Sequence, residues 1–145
     1  MCGKVICRRC ARTHPTVFLV DTSAWIRHFS RSDAFDLRTI CAPDDRVLCL
    51  PVYQELLQGV REERTYRQIQ HTLKAAQFVE NPMELSLYEE AAQLFRLARR
   101  QGVTVRSSVD CLIAATALRH DLIVLHDDRD FPLLARVSTL QERQV

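Results

Sequence analysis

The sequence predicts an α/β domain in three layers, α/β/α, with a central, mainly parallel sheet of about four to five strands. Three observations lead there. Short apolar runs, "VFLV" (17–20), "RVLCL" (46–50) and "LIVL" (122–125), alternate with longer stretches of helical spacing, the rhythm of parallel βαβ units covered on both faces. One of those stretches, "SSVDCLIAATALRH", is apolar almost throughout, as a helix sandwiched in a core must be. Finally, the first and last apolar runs end in acids: Asp21 follows one, and Asp127, Asp128 and Asp130 follow the other. In open parallel sheets the functional groups gather outside the carboxyl ends of the strands, at the topological switch point.

The elements follow in order. "VFLV" is the first strand, and Thr22 and Ser23 are N-cap candidates for a helix carrying Trp25, Ile26 and Phe29. A second helical stretch is expected from Asp33 to Ile40, then a strand from Arg46 to Leu50. Pro51 suits the first turn of a helix through "VYQELLQG", with Gly59 near its end. Residues 62–76 form a mostly polar helix with Ile69 and Leu73 four apart, and "QFVE" (77–80) is a third strand closed by Asn81-Pro82. In "LSLYEEAAQLFRLARRQG", Ser86 is the expected cap, Leu87, Ala91, Leu94 and Leu97 or Ala98 form the buried stripe, and Gly102 stops the helix. After the strand at 122–125 come a short helix from about Phe131 and a last strand near Arg136 to Thr139.

The length of 145 residues fits one domain with its own core. The apolar fraction of 47% and charged fraction of 26% are those of a globular protein. A net charge of +2 neither announces nor excludes a nucleic-acid binder. No apolar run approaches the roughly 20 residues of a membrane span, and the basic start "MCGKVICRRCARTHPT" lacks the apolar core of a secretory signal; a cytoplasmic protein is expected. Residues 1–16 read as a Cys-rich basic extension, loosely ordered, and residues 17–145 as the folded domain. Cys41, Cys49 and Cys111 fall in apolar patterns as small core residues. Cys2, Cys7, Cys10 and His14 have zinc-ligand chemistry, but their single short run lacks two well-spaced pairs and suits a loose tail better.

Four acids stand at or just beyond strand ends: Asp21, Glu55 one turn into the helix after the second strand, Asp110 in the first turn of the apolar helix, and Asp128. If the sheet is parallel, all reach one edge, and four carboxylates together require a cation. Oxygen-only donors suit Mg²⁺ or Mn²⁺. Each acid also has a structural reading. Asp110 with Ser107 fits a capping box, Asp130 before Phe131-Pro132 fits an N-cap, Asp127 a solvated turn, and Glu55 an exposed helix position. Asp21, ending a buried strand, has the fewest structural duties.

At this point "VDTSAW", the acid in "QELLQG", "SSVDCLIAATAL" and "LHDDRDF" resemble, in order and spacing, the motifs of PIN-domain ribonucleases, most of all the VapC kind, the toxin half of bacterial type II toxin–antitoxin pairs. The resemblance covers Val17 to about Leu140. It implies that Asp21, Glu55, Asp110 and Asp128 are the catalytic acids that hold Mg²⁺ or Mn²⁺, with Ser23 as a supporting hydroxyl and Asp130 as an auxiliary acid. It implies metal-assisted hydrolysis of phosphodiester bonds in structured RNA, tRNA or rRNA, in which the metal lowers the pKa of a bound water. A homodimer is implied, silenced by a cognate antitoxin whose tail fills the acidic groove. The family's last motif often begins with Thr or Ser, where this chain has His126. Arg106 and Arg129, next in sequence to Asp110 and Asp128, are the RNA-binding candidates ahead of Arg27 and Arg31; all four also read as salt-bridging surface. Trp25 reads as buried rather than as a base-stacking platform. The rival readings are a catalytically inert PIN-like module that binds RNA or a partner, and a Mg²⁺-dependent phosphatase. The phosphatase would need an acid where Ser23 stands, and a phosphoacceptor receiver would need a later Lys that Lys74 supplies poorly.

Overall fold

Five short parallel strands in the order β3-β2-β1-β4-β5 form the centre of the molecule. A computed structural model describes residues 16–30, 32 and 35–145. The strands are β1 (Phe18–Val20), β2 (Arg46–Leu48), β3 (Gln77–Phe78), β4 (Ile123–His126) and β5 (Gln141–Gln144). Helices α1 (Thr22–Phe29), α2 (Leu50–Gln58), α3 (Glu63–Lys74), α4 (Leu85–Arg100), α5 (Ser108–Arg119) and α6 (Asp130–Ala135) flank them. Cys2, Cys7, Cys10, His14 and Arg31 lie outside the described residues, and with them the extension over 1–16 and its zinc alternative, save Thr16.

The central strands β1 and β4 pair in register, Phe18 with Ile123 through Val20 with Leu125. Their side chains Leu19, Val20, Val124 and Leu125 are fully buried, which is why these runs are apolar at every position rather than at alternate ones. Because β2 lies on one side of β1 and β4 on the other, the chain reverses its winding direction between them. The carboxyl ends of β1 and β4 therefore border the crevice where such sheets place their sites. Helix α5 packs on α4, α6 and β4 and buries Cys111 and Ile113 to Ala117, so its apolar sequence reflects cover on more than one side. Helix α4 buries Leu87, Ala91, Leu94 and Ala98, choosing Ala98 over Leu97 for the stripe, and Gly102 ends it at φ +71, the left-handed region that glycine enters without cost. Cys41, Cys49 and Cys111 are buried free thiols.

Several local expectations are corrected. The cap of α1 is Asp21, not Thr22 or Ser23; its carboxylate accepts the Ser23 backbone N–H. Helix α4 begins two residues early, with Glu84 at the cap position, and the Ser86 hydroxyl instead accepts a hydrogen bond from Arg119 at 3.0 Å. The stretch expected to be helical from Asp33 to Ile40 contains, among the described residues, only a 3-10 turn at Leu37–Thr39. Asp36 caps that turn at its N-terminus by taking the Arg38 N–H onto its side chain. The last strand is not at Arg136 to Thr139 but at the polar "QERQ" of β5. An edge strand needs no apolar face, and charge on it discourages pairing with other chains, so its sequence carries no apolar signal.

Candidate active site

Three helix N-termini and two strand ends converge at the crevice. Asp21 follows β1, Asp128 follows β4, Asp110 is the third residue of α5 and Asp130 the first of α6. The backbone N–H groups at these helix starts favour carboxylates.

Asp110, Asp128 and Asp130 form the tightest group, each offering a carboxylate oxygen within 4.8 Å of the others'. Ser107 caps α5 by accepting the Asp110 N–H at 3.1 Å, the capping half of the predicted box. The Asp110 carboxyl does not close the box back on the cap but faces the other acids. Burial, together with the charges of Asp21, Asp128 and Asp130, pushes its pKa up to about 7.

Asp130 does not cap its own helix, which begins at Asp130 itself after Arg129. A fully buried carboxylate needs donors, and it finds them across the fold. Oδ2 accepts from the backbone N–H of Arg106 at 2.8 Å and of Ser107 at 3.3 Å, and Oδ1 pairs with the Arg106 Nε at 3.3 Å. It thus fixes the segment that starts α5 and, with it, Asp110. Asp128 accepts from the Asp130 N–H at 2.8 Å and lies 3.5 Å from Arg106 Nη2.

Asp21 and Glu55 stand behind this group rather than within it. Asp21 is buried, and its pKa is raised by that burial, with a smaller contribution from Glu55, against the lowering effect of its bonds from Ser23. Asp21 also helps to raise Asp110, so it is electrostatically continuous with the trio. Ser23 Oγ donates to Asp21 at 2.5 Å and accepts the Asp127 N–H at 2.9 Å, bridging the ends of β1 and β4. Glu55 accepts from the Thr22 hydroxyl at 2.6 Å. Thr22, expected only as a cap, is the residue that ties Glu55 to Asp21. A hydroxyl directly after a strand-end acid is the one sign of this in the sequence.

The cations differ in role. Arg106 is half-exposed and sits on Asp128 and Asp130. Arg27 is engaged by Asp127 at 3.5 Å, by the Val145 carbonyl at 2.5 Å and by the Phe35 ring at 4.8 Å. Arg129 is exposed. Trp25 is buried and stacks on Phe29, ring centroids 5.5 Å apart.

The donor set is oxygen-only and concentrates more negative charge than Arg106 balances; an acid whose pKa is pushed up to about 7 by burial and by its charged neighbours marks a site whose charge a cation would settle. These residues fit a hard divalent ion such as Mg²⁺ or Mn²⁺.

Comparison with known proteins gives the family. The pattern of the PIN domain family matches residues 18–137. Among characterised proteins, the VapC ribonuclease Mb1587 of Mycobacterium bovis and ribonuclease VapC11 of Mycobacterium tuberculosis are each 34% identical over 130 residues, covering 86% of this chain and 96% of theirs. The chain belongs to the PIN-domain family, in its VapC branch. Solved structures share the fold: VapBC2 from Rickettsia felis, bound to a DNA fragment from its promoter, superposes with a TM-score of 0.72 at 11% identity over 90% of this chain and 99% of that one. VapBC-5 from Mycobacterium tuberculosis does so with a TM-score of 0.65 at 21% identity, over 91% and 100%.

Proposed function

We infer that this protein is a metal-dependent endoribonuclease, the toxin of a toxin–antitoxin pair, which cleaves structured RNA such as tRNA or rRNA. The observation that carries the reading is the convergence of Asp110, Asp128 and Asp130, backed by Asp21, in a chain whose relatives are named VapC ribonucleases. Asp21, Glu55, Asp110 and Asp128 act as the acidic quartet, with Asp130 as the auxiliary acid. Bound Mg²⁺ or Mn²⁺ supplies a water of lowered pKa and charge stabilisation at the phosphate. The chain's own groups do the rest. Asp110 and Asp128, together with Asp21 and Glu55, would hold the ion. Asp130 keeps α5 and its Asp110 in place through the Arg106 and Ser107 amides. Ser23 holds the Asp21 carboxylate against the end of β4. Arg106 and the exposed Arg129 provide positive charge for the RNA backbone.

The protein works in the cytoplasm, where its substrate is, as a homodimer restrained by a cognate antitoxin; the matching solved structures of VapBC complexes support such a partner. No helix among the described residues is long and apolar enough to cross a membrane. The test is cleavage of total tRNA and rRNA by the purified protein with Mg²⁺ or with EDTA, beside Asp21→Asn. Discrete cuts that require both metal and Asp21 are expected. Binding without cutting, from folded and metal-supplied protein, would instead establish the inert RNA-binding alternative.

A further inference from the structure

His126 ends β4 and is fully buried, two residues before Asp128. A buried imidazole needs a partner at each nitrogen, and both partners are defined. Nδ1 lies 3.1 Å from the Asp128 backbone nitrogen, and Nε2 lies 2.7 Å from Glu142 Oε2 on β5. A backbone N–H can only donate, so Nδ1 carries no proton; the ring proton is then on Nε2, where the Glu142 carboxylate accepts it. The ring is held against Phe131 of α6, centroids 4.9 Å apart. The His126 carbonyl is taken by the Val145 N–H at 2.9 Å, so neither backbone nor ring is free to turn.

We propose that His126, oriented by Glu142, is a positioning residue for Asp128: its Nδ1 holds the Asp128 N–H and so fixes the direction in which the Asp128 carboxylate meets Asp110 and Asp130. This rests on the metal-site reading above and extends it to two residues outside the acidic set. It also gives β5 a task. Glu142 is the half-buried member of an otherwise exposed strand, and it is the one that reaches inward to the ring. The Asp128 loop is thereby anchored twice, by His126 at its backbone and by the Asp130 N–H at its carboxylate.

Two variants separate positioning from packing. In His126→Asn the amide oxygen stands near the place of Nδ1 and can still accept the Asp128 N–H. In His126→Gln the polar end stands near Nε2 and can reach Glu142 but leaves the Asp128 N–H without an acceptor. Mn²⁺ binding is titrated first on the wild type; absence of binding there overturns the metal-site reading itself and, with it, this extension. With wild-type binding in hand, His126→Gln is expected to bind Mn²⁺ about tenfold or more weakly, the usual cost of a lost outer partner. His126→Asn should keep most of the affinity and cut RNA better than the Gln variant. Equal affinity in folded His126→Gln and wild type overturns the positioning role, as does equal weakening in both variants. The imidazole ¹⁵N spectrum of the metal-free wild type gives a readout that needs no variant to fold. A proton on Nε2 with Nδ1 coupled to the Asp128 amide supports the assignment, and a protonated Nδ1 overturns it.

Discussion

Replacing Asp110 with Asn should make the metal-free protein more stable, and only at high enough pH. The Asp110 carboxyl moves from 3.8 to about 7 on folding because burial and the charges of Asp21, Asp128 and Asp130 disfavour its ionised form. Between those values the unfolded chain has lost a proton that the folded chain keeps, so stability falls as pH rises through this window. The loss is absent below the lower value and complete above the upper one. At about 1.36 kcal/mol per pKa unit the full displacement would correspond to about 4 kcal/mol. Asp110 retains partial access to water, and solvent screening reduces the expected effect to about 1–2 kcal/mol. Asn, neutral at every pH, avoids this cost. Urea denaturation in EDTA should therefore find Asp110→Asn more stable than wild type by about 1–2 kcal/mol at pH 8 and level with it near pH 4. Adding Mn²⁺ at pH 8 should reverse the order, since an ion that binds only the folded state stabilises it by RT ln(1 + c/Kd), where c is the free Mn²⁺ concentration. A variant less stable than wild type at pH 8 without metal, or a difference that does not change with pH, would refute the reasoning.

Other outcomes follow from the same geometry. Asp21→Asn should lower RNA cleavage by about 100-fold or more, a transition-state loss of several kcal/mol, with its far-ultraviolet circular dichroism unchanged; normal cleavage by the folded variant would remove Asp21 from the catalytic set. Asp130→Ala should act opposite to Asp110→Asn, because it strands the Arg106 and Ser107 amides that Asp130 accepts. A destabilisation of about 2–4 kcal/mol is expected in urea denaturation. Arg106→Ala removes a half-exposed guanidinium but leaves the buried Asp130 carboxylate its two backbone N–H donors; it should change stability by less than about 1 kcal/mol while raising KM for RNA and flattening its dependence on salt, read from cleavage rates at several salt concentrations.

The layered α/β fold and the identity of the acids are legible in the sequence because each leaves a local trace. Strands buried on both faces are apolar at every position, and α4 repeats its stripe at the helical period. A charge placed directly after an apolar run contributes nothing to the core, so its presence there points to a site. Asp21 and Asp128 stand out from their neighbours in this way, whereas Asp110, in the first turn of an apolar helix beside the cap Ser107, stands out only in company with them. Positions set by distant partners leave no such trace. Asp130 has the local pattern of a cap for its own helix, yet its donors lie at Arg106 and Ser107. Thr22 also has the pattern of a cap, yet its hydroxyl serves Glu55 in another helix. His126 reads as a departure from a motif, and only the arrival of β5 beside β4 brings Glu142 to its ring. Polar β5 itself escapes the sequence pattern because an edge strand has no buried face to advertise. Periodicity and composition thus determined the elements that bury a face and which acids stand at their ends, since those depend on neighbours in the chain. Which acids meet, and what holds each of them, was decided by tertiary structure, because a buried hydrogen bond is chosen by whatever the fold brings within about 3 Å.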